Sequence, residues 1–218
     1  MSDDHPAKPA DAEDVRQASE AEKADIELGA RLASHRDHPV VKAAGEAGKI
    51  GDQAPLYALS AAVLIAGLAT RNRRLAGSGV SMLAGLAAAD VSKRLTKRLV
   101  RRTRPHVLLD DGRYQTDAGG TDRKPEQSFP SGHTAGSAAV ARALSRNFPK
   151  TGAAAGVAAV GIGVSRIAKG AHWPLDVLAG AVLGLAAEAL AAMLLESGWR
   201  SYAGDTACGD KQRQRRRR

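Results

Sequence analysis

Three stretches of this chain carry side chains able to grip and attack a tetrahedral anion. The first, Lys97-Arg98-Leu99-Val100-Arg101-Arg102-Thr103-Arg104-Pro105, sets a lysine seven positions ahead of an Arg-Pro pair. On a helix that spacing is two turns, so Lys97 and Arg104 are expected to project from one face. Two cations there hold an oxyanion, the arginine offering a planar fork of donors. The second stretch, Pro130-Ser131-Gly132-His133, follows after 24 residues. A proline at a helix start leaves the amides of Ser131, Gly132 and His133 free as an anion cradle, although the same residues also suit an ordinary helix cap.

The third stretch is SRIAKGAHWPLD, with Ser165-Arg166 followed by His172 and Asp176. A histidine and an aspartate four apart share a helix face. A carboxylate accepting from one imidazole nitrogen fixes the tautomer and leaves the other nitrogen as a nucleophile. Pro174 fits only if it lies in the first turn, which puts His172 just outside the helix. A lone histidine is commonly structural. Ionisable groups at the mouth of an apolar segment are expensive, however, and point to function. Lys97, Arg104 and Arg166 as cations, backbone donors, an oriented His172 and a second histidine, with no metal-ligand spacing among Asp, Glu and His, read as phosphoryl transfer through a phosphohistidine without a metal or other cofactor.

The elements that must position these residues are apolar helices. Of 218 residues, 44% are hydrophobic but only 3% aromatic, so the apolar material is Ala, Leu, Val and Gly, suited to closely packed helices. The mean hydropathy of −0.26 hides a banded distribution. Gln53 to Thr70 holds no charge over 18 residues, and Leu75 to Ala89 and Thr151 to Ser165 hold none over 15 each. Leu175 to Leu195 is interrupted only by Asp176 and Glu188, and Gln127 to Ala141 is uncharged though it carries His133. Fifteen residues reach about 22 Å against roughly 30 Å of hydrocarbon, so basic flanks must extend each span. The expectation is an all-α, multi-pass membrane bundle of about five short transmembrane helices, the competing reading being a soluble Ala-rich bundle. One cysteine, Cys208, excludes an intrachain disulfide and a Cys-based metal site.

The tails differ from the bands. Residues 1–30 hold nine acids against three bases, and the acidic start lacks the apolar core of a signal peptide. The expected organisation is an acidic leader over 1–50, its first ten residues disordered and about Ala12 to Ala33 a polar surface helix. A membrane-embedded phosphatase domain over 51–197 and a basic tail over 198–218, solvated or on anionic surfaces, follow.

The three motifs resemble those of the type 2 phosphatidic acid phosphatase family, related to acid phosphatases and vanadium-dependent haloperoxidases. Its pattern, Lys-x6-Arg-Pro, Pro-Ser-Gly-His and Ser-Arg-x5-His-x3-Asp, is matched at all eleven fixed positions. The likeness covers roughly Gln53 to Leu195. It implies His172 as nucleophile, Asp176 as its orienting partner and His133 as the acid that protonates the leaving group. It also implies Lys97, Arg104 and Arg166 as charge clamps, with Ser131 and Gly132 as phosphate-binding donors. Lys93, Arg94, Arg98, Arg101 and Arg102 exceed the motif and read as a solvated or headgroup-contacting face. Lys169 reads as a surface residue rather than a fourth cation.

The implied substrate is a lipid phosphate reached from membrane lipids: polyprenyl (di)phosphate, phosphatidate or a prenyl-linked sugar phosphate. Positive-inside counting and the family habit place the chain in the inner membrane with the site facing outward. Two rivals stand beside this. A soluble acid phosphatase or vanadate-dependent haloperoxidase would share the motifs but not the apolar bands. A basic nucleic-acid-binding protein would suit the pI of about 10.0 and the Lys93 to Arg104 run, but lacks stacking aromatics there, so no specific nucleic acid partner is expected.

Overall fold

The computed structural model describes Val15 and residues 18–216, with side chains described through residue 197. The expected disorder of the first ten residues and the side chains of the basic tail lie outside the described residues. Eight helices of the described residues run in the order α1 (Glu20–Ala33), α2 (Pro39–Ala47), α3 (Gln53–Ala69), α4 (Arg73–Lys97), α5 (Pro105–Asp111), α6 (Gly132–Asn147), α7 (Pro149–Ala168) and α8 (Pro174–Arg216). Two 3₁₀ turns, Gly48–Gly51 and Lys124–Glu126, and an antiparallel ribbon of β1 (Val100–Arg102) with β2 (Thr116–Ala118) lie between them.

Four of the uncharged bands form α3, α4, α7 and α8, and the fifth falls largely on α6. The helices α4, α7 and α8 (to Ser197) are each long and apolar enough to cross a membrane. A fourth span is available if α2 with its 3₁₀ turn and α3, bent by 50°, count as one. Their outer faces leave Ile65, Leu68, Val157, Val160, Leu178, Val182 and Met193 exposed. Water does not tolerate a belt of that extent on a monomer, whereas hydrocarbon does.

Helix α6 is different. It spans 16 residues, and Thr134 to Ala141 are buried without a break. It is the central post that α3, α4, α7 and α8 surround. Its small residues serve close helix approach rather than lipid contact. A Cβ at Gly180 of α8 would sit 2.4 Å from the Ser131 carbonyl oxygen, and one at Gly184 2.1 Å from that of Ala135. Only glycine lets α8 lie directly on the start of α6. Between α3, α4 and α6 the core is Leu56, Met82, Leu86, Val140 and Ala143.

The helix α1 corrects the picture of a surface helix. Ser19 caps it by accepting from the Glu22 amide at 3.3 Å, but Asp25, Ile26, Gly29 and Ala33 are buried. Ile26 packs with Tyr114 and Trp173 beneath the loops that join the bundle helices.

Candidate active site

The end of α4, the starts of α6 and α8, and the end of α7 bring the three motifs to one end of the bundle. The turns carrying Arg71 and Arg73, and Asn147 to Pro149, lie at the other end.

Lys97 and Arg104 do not share a helix face. The helix ends at Lys97, the ribbon intervenes, and Arg104 is the N-cap of α5, opening on Pro105. They converge through a loop instead. Lys97 Nζ donates to the Gln127 carbonyl at 2.6 Å, and Arg104 donates from Nε to the Lys124 carbonyl at 3.0 Å and from a terminal nitrogen to that of Gln127 at 3.5 Å. Gln127 and Ser128 are held there because the Ser128 amide donates to the Arg102 carbonyl at the edge of β1. The convergence belongs to strand and loop geometry, which helical spacing could not foretell.

The start of α6 also departs from expectation. The Ser131 amide is not free: it donates to the Asp176 backbone carbonyl at 2.9 Å, tying the second motif to the third. The hydroxyl of fully buried Ser131 accepts from Thr134 at 3.0 Å. The Gly132 and His133 amides precede the first intrahelical bond, from Ala135 to Ser131, and among the described residues neither finds a carbonyl. They remain donors at a helix N-terminus.

Helix α8 begins at Pro174, which leaves His172 just ahead of it, only 3% exposed. His172 Nδ1 lies 2.7 Å from the Ser128 carbonyl. A carbonyl only accepts, so Nδ1 carries the proton and Nε2 holds a free lone pair. Asp176 was expected to make this bond, but its carboxylate is 3.8 Å from Nδ1. It accepts instead from Arg102 at 2.9 Å, from the Trp173 amide at 2.8 Å and from the Ser128 hydroxyl. Asp176 thus fixes the loop that carries His172 and Ser128, and contributes negative charge at close range.

Burial pushes the His172 imidazole below the ordinary histidine range; the nearby Asp176 opposes this, and Arg104 and Lys97 add to it. Burial also lowers Arg104, with the like charge of Arg166 acting the same way and Asp176 against. These mutual influences place the first and third motifs within electrostatic reach of each other.

Partners sort the cations. Arg102, read as part of a solvated face, is buried: it bonds Asp176, Asp25 at 2.8 Å and the Tyr114 hydroxyl at 3.2 Å, and stacks 5.6 Å from the Trp173 ring. Lys93 pairs with Asp90, Arg101 with Glu126, and Lys169 with Glu46. Among the described residues, Lys97, Arg104 and Arg166 have no carboxylate within 4.0 Å. Arg166 is 7% exposed, donates to the Gly45 carbonyl at 2.9 Å, and has a buried Nε with no hydrogen-bond partner. Carbonyls orient these three without neutralising them. His133 completes the site with Nε2 against the Asp52 carboxylate. No three His, Cys, Asp or Glu side chains of the described residues are grouped to hold a metal ion.

Sequence reasoning missed Asp25, Asp52, Arg102 and Ser128. Asp52 had a signal, being an acid at the mouth of the uncharged Gln53 to Thr70 band. Ser128 had none, because its carbonyl is common to every residue type.

The chain belongs to the PAP2 superfamily, whose family model matches residues 78–198. It is 36% identical over 90 residues to a lipid A 1-phosphatase of Rhizobium johnstonii, covering 41% of this chain and 36% of that one. It is 39% identical over 88 residues to a non-specific acid phosphatase of Salmonella typhi, covering 40% and 35%. These matches therefore span little more than a third of the relatives' length. In fold it is similar to Aquifex aeolicus LpxE, with a TM-score of 0.54 and 23% identity over 77% of this chain and 94% of that one. A transmembrane PAP2-type phosphatidylglycerolphosphate phosphatase of Bacillus subtilis gives a TM-score of 0.59 and 22% identity over 83% and 89%. The multi-pass, helical membrane bundle expected from the bands is the fold of this protein.

Proposed function

We propose that the protein is a membrane-embedded phosphatase that removes phosphate from a lipid phosphate through a phosphohistidine on His172. The observation that carries this is the trio of uncompensated cations, Lys97, Arg104 and Arg166, gathered around a histidine whose Nε2 is free. Positive charge left unpaired in a half-buried site is costly, and a phosphate dianion is the ligand that satisfies it. In the first half-reaction His172 Nε2 bonds to phosphorus and the phosphorus–oxygen bond to the leaving group breaks. The departing oxygen takes its electron pair and a proton from His133. In the second, water attacks phosphorus, the phosphorus–nitrogen pair returns to Nε2, and His133 takes the water proton. The three cations and the Gly132 and His133 amides, set before charge develops, stabilise the transferring oxygens. Asp176 keeps the His172 loop in place.

A lipid rather than a soluble phosphate is favoured by an apolar groove of about 760 Å³ on the bundle's outer face. It begins at Thr134 and Pro174, adjoining His133 and His172, and runs between α6, α7 and α8 to Arg142 and Pro149. A hydrocarbon tail lying in it keeps the headgroup at the site. A lipid A 1-phosphate, a phosphatidylglycerolphosphate and a polyprenyl diphosphate all have that form. Arg71, Arg73, Arg74, Arg146 and Lys150 cluster at the opposite end, so positive-inside placement in an inner membrane directs the site outward. A second reading, turnover of small phosphomonoesters, draws on the acid phosphatase relative.

The test is phosphate release by the purified protein from lipid phosphates and from glycerol phosphate, with chelator present. Expected are chelator-resistant turnover of the lipid substrates, inhibition by vanadate, and near-complete loss in His172→Ala. Persisting activity in His172→Ala would falsify the nucleophile, and preference for glycerol phosphate would favour the second reading.

A further inference from the structure

We infer that Asp52 is a positioning residue for His133, its carboxylate pairing with the ring so that the imidazolium is held ready for proton transfer to the leaving group. The inference rests on the phosphatase reading above and adds a residue to it. Asp52 lies outside the family-matched residues 78–198, at the 50° bend between the Gly48–Gly51 turn and α3.

Its geometry is unusual for its place. Asp52 is the N-cap of α3, where an aspartate ordinarily accepts from an amide of the first turn, yet its side chain makes no cap hydrogen bond. The carboxylate turns instead to His133 Nε2, as an ion-pair contact without hydrogen-bond alignment. The backbone beside it is pinned. A Cβ at Gly51 would stand 2.9 Å from Ile162 of α7 and 3.0 Å from the Ser137 hydroxyl of α6, so the turn is pressed between the helices that carry Arg166 and His133. Through its Gly45 carbonyl, α2 just ahead of this turn orients Arg166.

A carboxylate in ion-pair contact with an imidazole favours its protonated form. His133 must hold a proton until the leaving oxygen takes it, and Asp52 stabilises that cation before the transfer. When water later attacks phosphorus and His133 accepts the water proton, Asp52 stabilises the renewed cation. Other charged groups also face His133: Arg166 from α7, His172 from the loop before α8, and Asp90 and Lys93 from α4 across a pocket of about 210 Å³. Burial disfavours the imidazolium most, Arg166 and His172 act the same way, and Asp52 opposes them. Asp52 is the carboxylate in contact with the ring.

The experiment compares two substrates on the full-length protein in detergent micelles. Phosphatidate has an alkoxide leaving group that needs a proton, and p-nitrophenyl phosphate has one that departs without it. Asp52→Asn is expected to lower phosphatidate turnover by on the order of 100-fold and p-nitrophenyl phosphate turnover far less. It is also expected to move the alkaline limb of kcat/KM on phosphatidate to lower pH. Asp52→Ser retains a helix-capping side chain without the carboxylate and should behave like Asp52→Asn, while Asp52→Glu should recover part of the phosphatidate activity. Equal losses on both substrates, or an alkaline limb that does not move, overturn the assignment and leave a merely structural Asp52. A wild type that releases phosphate from neither substrate overturns the phosphatase reading itself. If Asp52→Asn does not fold, Asp52→Ser and Asp52→Glu decide by the same ratio.

Discussion

Two clusters of charge sit inside this apolar bundle, one at each end, and they are built on opposite rules. Far from the site, Glu188 of α8 is 1% exposed and accepts from Arg142 Nε at 2.7 Å and from Arg146 Nε at 2.6 Å, two arginines one turn apart on α6. Each cation there meets a carboxylate. At the other end Arg102 is treated the same way, between Asp25 and Asp176. Lys97, Arg104 and Arg166 are not: the protein gives them carbonyl oxygens of Gln127, Lys124 and Gly45. A carbonyl fixes direction while leaving the net charge in place. The contrast separates arginines that join helices through a carboxylate from cations left without one, a distinction that residue type alone does not reveal.

Substitution at each end should therefore split activity from stability. Arg104→Gln removes an uncompensated cation. Turnover of lipid phosphate is expected to fall by about 100- to 1,000-fold, as for loss of one preorganised donor to a developing oxyanion. The melting temperature in detergent should hold or rise, since a repulsion with Arg166 goes with the charge. A variant that unfolds instead would class Arg104 with Arg102 as a joining residue. Glu188→Gln, about 21 Å along α8 from Pro174, should do the reverse. Stripping the carboxylate from two partly exposed arginines is expected to cost about 1–3 kcal/mol, read as a lower melting temperature, while kcat of the folded fraction stays within about twofold. Loss of kcat without loss of stability would show the two ends to be coupled and the contrast false.

Much of this was legible in the sequence, for reasons that differ by element. The uncharged bands marked the bundle helices because burial in lipid excludes charge over a whole span. The eleven motif residues marked the candidate site because lysine, arginine and histidine at fixed spacing are side chains able to hold and attack an oxyanion. Hidden were the contacts made by main chain. The Ser128 carbonyl orients His172 and the Gly45 carbonyl orients Arg166, and no side-chain pattern encodes either. Arg102 was misread because it sits among surplus cations, and only its strand pairing turns it inward. Asp25 was hidden in an acidic leader, where one buried carboxylate looks like its eight neighbours. Lys97 and Arg104 show the converse: the expected spacing brought them together, but by a ribbon and a carbonyl rather than by two helical turns.

The smallest expected effect tests whether burial or charge governs His172, the proposed nucleophile. Three influences act on His172: burial disfavours the imidazolium, Asp176 favours it, and Arg104 and Lys97 disfavour it, the balance lying below the ordinary range. Attack requires neutral Nε2, so the unprotonated form persists to lower pH than in a free histidine. The acid limb of kcat/KM assigned to His172 should accordingly fall below about 6.5. In Arg104→Gln one of the charges that disfavours the imidazolium is gone, so the acid limb of the residual activity should move upward, toward the ordinary value. A wild-type limb at or above that value would mean that the Asp176 carboxylate outweighs burial at 3.8 Å. The paired Arg102 would then leave Asp176 enough field to hold His172 protonated, and the division between neutralised and unpaired charges at this end of the bundle would fail at His172.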